Sequence, residues 1–197
     1  MHETYAPLTT FPMDPGTTFV LPERPNPAPV KLEDPAIQVM TDLRQVRALT
    51  VSPGTSMDAS YQRMRVNGVR MLLVVDEKNV IVGLISSTDV EGERPVQRMH
   101  DREIRRDELL VADVMTPAQR LEVIELRDVE RACVGHVVAS MKSMGRQHAL
   151  VVERDPKGRQ FLRGMFSATQ TARQLGVPFS VDNVARSFAD VEQALGH

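Results

Sequence analysis

Two stretches of this chain repeat one another. Val39-Met40-Thr41 recurs as Val114-Met115-Thr116, Leu73-Val74-Val75 as Leu150-Val151-Val152, and Gly83-Leu84-Ile85-Ser86 as Gly164-Met165-Phe166-Ser167. The offset grows from 75 through 77 to 81 residues, as it does when small insertions fall in loops between matched blocks. Duplicated modules of about 55–60 residues are each too small to bury a good core alone, so the two are expected to pack on one another.

Within the first module an apolar stretch at Ala48-Leu49-Thr50-Val51 stops at Pro53-Gly54. Thr55 or Ser56 can then cap a helix with Met57, Tyr61 and Met64 on one face, and Gly68 ends it. Apolar runs over 71–75 and 80–85, separated by Asp76-Glu77-Lys78-Asn79, read as a hairpin of buried strands. The second module repeats the order: Val134, Val137, Val138 and Met141 lie at helical spacing, Gly145 follows, and a hairpin turns across residues 154–159. The unit is strand, helix, strand, strand, helix, which makes the fold class α/β (α+β).

The flanking segments differ in texture. Eight of the 13 prolines lie in the first 35 residues, which read as an extended arm, either draped on the domain or mobile. Residues 91–110 mix Arg94, Arg98, Arg102, Arg105 and Arg106 with six acids and read as a solvated helical face. Over 180–195, Val181, Val184, Phe188, Val191 and Leu195 form the stripe of an amphipathic helix, to be buried on its own domain or in a dimer contact. The division is thus an arm (1–34), a first repeat (35–92), a charged linker (93–109), a second repeat (110–176) and a C-terminal helix (177–197).

Composition removes several function classes. A net charge of −2, from 24 basic and 26 acidic side chains, supplies no global attraction to nucleic acid or an anionic membrane. An aromatic content of 4% without Trp provides no base-stacking platform, and the 11 Met residues suggest adaptable apolar packing. No apolar run approaches the roughly 18–20 residues of a membrane span, and no basic region followed by an apolar stretch opens the chain, so the cytoplasm is the expected location. Cys133 is the only cysteine; an internal disulfide and a Cys-rich zinc site are excluded, and the five histidines have no metal-ligand spacing. Cys133 and His136 lack an orienting acid, and Cys133 is read as packing. No Walker pattern occurs, and the expectation is a protein that is not an enzyme.

The informative stretch is Gly83-Leu84-Ile85-Ser86-Ser87-Thr88-Asp89, a buried strand ending in hydroxyls and a carboxylate at a helix start. A carboxylate accepts both hydroxyl donors of a ribose, while Ser and Thr hydroxyls and helix-start amides face phosphate oxygens. The same Ser-x-x-Asp spacing is also a capping box, and both readings stand.

The repeated unit, opened by Val-Met-Thr and closed by Gly, two apolar residues and Ser-x-x-Asp, resembles the CBS domain, here as the tandem pair called a Bateman module. The resemblance covers 35–176. It implies a pseudo-twofold pair whose sheets face each other, leaving two clefts that in many members bind AMP, ADP, ATP or S-adenosylmethionine. By the resemblance Asp89 receives the ribose, Ser86 and Thr88 supply hydroxyls, and Arg70, just before the second strand of its repeat, faces phosphates; on its residues alone Arg70 is also a surface residue after a Gly turn. Val114, Met115, Gln147 and His148 become the adenine wall from the opposite repeat, although His148 also reads as an ordinary half-buried histidine. The second repeat departs from the pattern: Ser167, Thr169 and Gln170 put an amide where the acid stands, and an uncharged acceptor holds a diol less strongly. Unequal sites are expected, with the Asp89 cleft filled first.

The expected function is a stand-alone regulatory sensor that binds an adenosine-containing small molecule, needs no metal or cofactor, forms a homodimer through its helices and signals to a protein partner. The alternative is the same fold as a ligand-free scaffold for dimerisation or docking. Binding of nucleic acid through the arginine-rich segment is a further rival, marked by steep salt dependence.

Overall fold

The computed structural model describes residues 12–13 and 28–177; most of the proline-rich arm and the helix expected over 180–195 lie outside the described residues. A 3-10 turn (Ala36–Val39) leads into the two-residue strand β1 (Thr41–Asp42), and β2 (Thr50–Val51) follows. Ser56 then accepts the Ala59 amide at 3.2 Å and caps α1 (Met57–Val66), which buries Met57, Ser60 and Met64 at spacings of three and four. Gly68, at φ +63°, turns the chain back with no steric cost. In the hairpin of β3 (Met71–Val75) and β4 (Ile81–Ser86), the Asp76 carboxylate accepts the amides of Lys78 and Val80 at 2.9 and 2.8 Å. Two helices end the repeat and begin the linker: α2 (Ser87–Glu91) and α3 (Arg94–Arg102), the latter with Pro95 in its first turn.

The second repeat runs through α4 (Val111–Val114), β5 (Thr116–Pro117), β6 (Val123–Glu125), α5 (Leu126–Val129) and α6 (Val134–Met144). The hairpin β7 (His148–Arg154) and β8 (Gln160–Ser167) and then α7 (Ala168–Leu175) complete it. The four residues at helical spacing in α6, Val134, Val137, Val138 and Met141, are all buried.

The two repeats exchange their opening segments. One sheet has the order β2-β3-β4-β5, the other β1-β8-β7-β6. Strand β1 therefore leaves its own repeat to pair with β8 (Thr41 opposite Met165), and β5 returns to pair with β4 (Thr116 opposite Leu84). Each Val-Met-Thr segment opens its repeat in sequence but closes the other's sheet in space. The cores follow suit: Ala36, Val39 and Met40 pack with Val134, Met141 and Phe166, whereas Leu109, Val111 and Val114 pack with Met57, Leu72 and Ile85. Backbone bonds join the same partners: the Ala36 amide donates to the Ala132 carbonyl and that of Val111 to Thr55, both at 2.9 Å. A repeat of this size lacks the surface to close its own core, and the exchange supplies the missing edge strand and apolar side chains.

Strand alternation sends Leu72, Val74 and Ile85 toward the helices and Met71, Leu73 and Leu84 to the other face, where they meet Leu150, with Leu162 and Met165 packed against them. This apolar layer joins the facing sheets. At its rim β1 is held by charge: Asp42 pairs with Arg163, whose Nε lies 3.2 Å from Glu153, and Glu153 also pairs with Arg44. The Arg44 backbone amide, with Arg163 and Arg44 adding their charges, holds the Asp42 carboxyl below its usual range against the opposing effect of burial.

The linker presents the expected solvated face, with every residue of α3 except Pro95 and Met99 exposed, and its arginines also make specific contacts. Arg94, Arg98 and Arg102 are four residues apart, share one side of α3 and reach onto the end of α4. Arg98 Nε donates to the Asp113 carbonyl at 3.1 Å, Arg102 pairs with the Asp113 carboxylate, and Arg94 Nη1 lies 3.3 Å from the Val114 carbonyl. The last carbonyls of a helix have no partners within it, and guanidinium donors satisfy them. Among the described residues no helix is long and apolar enough to cross a membrane.

Candidate functional site

The end of β4 and the start of α2 place Ser86, Thr88 and Asp89 at one corner of the space between the repeats. Ser86 is the N-cap: its Oγ accepts the Asp89 amide at 3.3 Å, and Asp89 Oδ2 accepts the Ser86 amide at 2.9 Å and its hydroxyl at 2.7 Å. The capping box is thus formed, and Thr88 Oγ1 adds a hydrogen bond of 2.8 Å to Ser86 Oγ. The other carboxylate oxygen, Asp89 Oδ1, accepts from Arg94 Nη1 at 2.6 Å. The Asp89 side chain is 12% exposed and that of Arg94 51%.

These groups open onto a cavity of about 370 Å³ between the repeats. The first repeat and α3 contribute Leu84, Ser86, Thr88, Asp89 and Arg94; the second contributes Thr116, Leu121, Glu122, Arg146, Gln147, His148 and Leu150. The lining combines both charge signs and several hydroxyl and amide groups with three leucines, Leu84, Leu121 and Leu150, the mixture expected of a site for an amphipathic small molecule.

Of the residues singled out from sequence, Ser86, Thr88, Asp89, Gln147 and His148 line this one cavity. Arg70, Val114 and Met115 lie outside its lining. The Arg70 carbonyl accepts the Ser87 amide at 2.9 Å, and its Nε is buried without a hydrogen-bond partner. Val114 is fully buried and presents only its carbonyl, to Arg94, while Met115 packs its sulfur against Gly83. Ser167, Thr169 and Gln170 also fall outside this lining; Ser167 Oγ accepts the Gln170 amide at 3.4 Å, capping α7 without a carboxylate to reciprocate.

Arg94, Arg146, Thr116 and Glu122 complete the cavity and were not foreseen as site residues. Thr116 stood in the repeated Val-Met-Thr motif and its signal was present. Arg94 had none, because its role depends on α3 folding back over Asp89.

His148 begins β7 beside Gln147, and burial, followed by the positive charge of Arg70, pushes its pKa from 6.5 down to about 4. The charged groups facing the same cavity are Asp89, Glu122, Arg94 and Arg146. Between pH 6.5 and 4 the unfolded chain therefore binds a proton that the folded chain refuses, so stability falls as pH falls through this window. We expect urea midpoints to drop on acidification over that range, by on the order of 1 kcal/mol per pH unit, and the drop to flatten in His148→Gln.

On the helical side of the second repeat, a smaller cavity of about 260 Å³ is lined by Ile124, Val129, His136, Val137 and Phe166, among others. His136 Nδ1 there accepts the Cys133 amide at 3.1 Å and lies 3.1 Å from its sulfur, so the pair caps α6. Among the described residues no group of three or more His, Cys, Asp or Glu side chains is arranged to hold a metal ion.

Comparison with known proteins agrees with this architecture. The family model of the CBS domain matches residues 33–93. No curated protein matches the sequence. Among solved structures, an uncharacterised conserved protein of Pyrococcus horikoshii is 19% identical with a TM-score of 0.53, covering 77% of this chain and 99% of its own. A conserved CBS-domain protein of unknown function from Thermoplasma acidophilum is 20% identical with a TM-score of 0.50, covering 79% and 76%. A protein with CBS domains from Burkholderia ambifaria is 20% identical with the same TM-score, covering 68% and 88%. At these identities the likeness is one of fold.

Proposed function

We propose, on the footing that the chain carries a CBS domain and folds as a CBS pair, that the Asp89 cleft binds an adenine nucleotide and that the protein is a regulatory sensor rather than a catalyst. The observation that carries this reading is convergence: hydroxyls of Ser86 and Thr88, the Asp89 carboxylate and the polar side chains of Gln147 and His148 face one cavity of about 370 Å³, and small-molecule sites run from roughly 300 Å³ upward. In this reading Asp89 Oδ1 takes the ribose hydroxyls while Oδ2 keeps its cap, the leucines of the lining pack on the base, and Arg146 and Arg94 meet phosphate. The cleft lies between two repeats tied by exchanged strands, so a ligand with different affinity for two arrangements of the pair biases their equilibrium, commonly by about 1–3 kcal/mol. A homodimer and a protein partner that reads the bound state complete the proposal, with 35–92 and 110–176 as the two working units and 93–109 as the linker.

Calorimetric titration with AMP, ADP, ATP and S-adenosylmethionine tests this. Binding is expected to be lost, by about 100-fold or more, in Asp89→Ala and retained in Gln170→Ala, because a charged acceptor buried with its hydroxyl donors contributes more than a neutral one. One observation favours a second reading: both Asp89 oxygens already have internal partners. In that reading the cap and ion pair are purely structural and the pair is a docking scaffold. No heat with any ligand, from folded protein stripped of nucleotide, decides for the scaffold.

A further inference from the structure

The ion pair between Asp89 and Arg94 bears on which ligands the cleft accepts. Arg94 is the first residue of α3, outside the repeated motif, and its Nη1 donates at 2.6 Å to Asp89 Oδ1, the one oxygen of that carboxylate the cap leaves over. The same nitrogen lies 3.1 Å from Thr116 Oγ1 and 3.3 Å from the Val114 carbonyl. A single guanidinium thus bridges the first repeat, the linker helix and the crossing β5 while it occupies the acceptor that a ribose needs. In the second repeat the acid is replaced by Gln170, so no carboxylate stands there to hold a cation in this way.

We propose that Arg94 is the specificity-determining residue of the Asp89 cleft: an exchangeable occupant of the ribose acceptor that makes binding conditional on a negatively charged nucleotide. The proposal rests on reading that cleft as an adenosine site. A ribose diol that gives both hydroxyls to Asp89 Oδ1 needs both lone pairs of that oxygen, one of which the guanidinium holds, so it displaces the guanidinium, and a neutral nucleoside offers the freed cation nothing in return. Arg146 already faces the same cavity, so Arg94 is left beside a like charge. A phosphorylated ligand carries the replacement partner with it: its phosphate accepts from the displaced guanidinium in a charge-assisted bond, and the exchange is balanced. The half-exposed Arg94 side chain is free to make this move, whereas Asp89, held by its cap, stays in place. Selection works by leaving the wrong ligand's competitor unpaired, and because Arg94 opens α3, the exchange also shifts the helix that docks on α4.

The test is titration of AMP and of adenosine into the full chain and into Arg94→Gln and Arg94→Lys, with thermal melting to verify folding. In the wild type AMP is expected to bind at least tenfold more tightly than adenosine. In Arg94→Gln adenosine should tighten and AMP weaken, bringing the ratio close to one, and Arg94→Lys should restore most of it. Binding of both ligands with an unchanged ratio in Arg94→Gln overturns the role of Arg94 and leaves the adenosine site intact. Absence of binding to all three folded proteins overturns the site and the proposal together. Amide exchange gives a ligand-free arm: Arg94→Gln and Asp89→Asn should each speed exchange over 94–102, and unchanged protection in both overturns the tether.

Discussion

Phe166→Ala should destabilise the protein by about 3–5 kcal/mol, read as a shift of the urea midpoint at constant slope. Among the described residues Phe166 is the largest fully buried side chain, and it sits in β8, with Val137, Met141 and Val151 in the core of the second repeat. That core also holds Val39 and Met40, which arrive from the other end of the exchange. Deleting the ring removes its transfer free energy and leaves a void, and the residue already lines the 260 Å³ cavity beside α6. The neighbours are a rigid strand and a helix, so collapse into the space is limited. Phe166→Leu, which keeps most of the volume, should cost less than half as much. A loss below about 1 kcal/mol in Phe166→Ala would show that the exchanged segment can repack to fill the space.

The second large effect concerns the two glycines of the repeated motif. A Cβ on Gly83 would stand 2.7 Å from the Thr116 carbonyl oxygen and 2.8 Å from the Met115 sulfur; on Gly164 it would stand 2.8 Å from the Thr41 carbonyl oxygen and 2.7 Å from the Met40 sulfur. The obstacle is the same at both places, a Met-Thr segment crossing from the opposite repeat. A methionine side chain can swing away, but the carbonyl belongs to a strand paired to that glycine's own strand and cannot move without opening the pairing. We expect Gly83→Ala and Gly164→Ala each to cost about 2–3 kcal/mol, the upper part of the range for overpacking. Gly54→Ala is the control, with no atom within 4 Å of its added Cβ, and should be close to neutral. If both motif variants matched that control, the crossing strands would not be held against the glycines. In Gly83→Ala the displaced β5 carries Thr116 with it, so weaker nucleotide binding should accompany the loss of stability.

These two experiments probe different links between sequence and structure. The glycines were legible as part of a repeated motif, yet their reason was not, because the atom that excludes a side chain comes from more than 30 residues away in one repeat and from more than 120 away in the other. The site divides in the same way. Ser86, Thr88 and Asp89 are neighbours in sequence, and a strand ending at a helix start puts them together whatever else the chain does. Gln147 and His148 are implied only by the resemblance to CBS pairs, and they line the cavity. Arg70, chosen by the same resemblance, lies outside the lining and acts on His148 through its charge.

What the sequence determined by itself is local and periodic. The duplication, a cap at Thr55 or Ser56 and another at Ser86, the α6 stripe and the two hairpins each follow from residue spacing, since a helix face or a tight turn is specified by neighbours within a few positions. The tertiary structure alone decided which sheet each two-residue strand completes and where Arg94 points. A strand of two residues carries too little pattern to choose its partner, and its choice follows from which core has room for the apolar residues beside it. Arg94 likewise reads as one more charge in a mixed segment until α3 folds over Asp89, because a long cationic side chain takes its role from the acceptors within its reach.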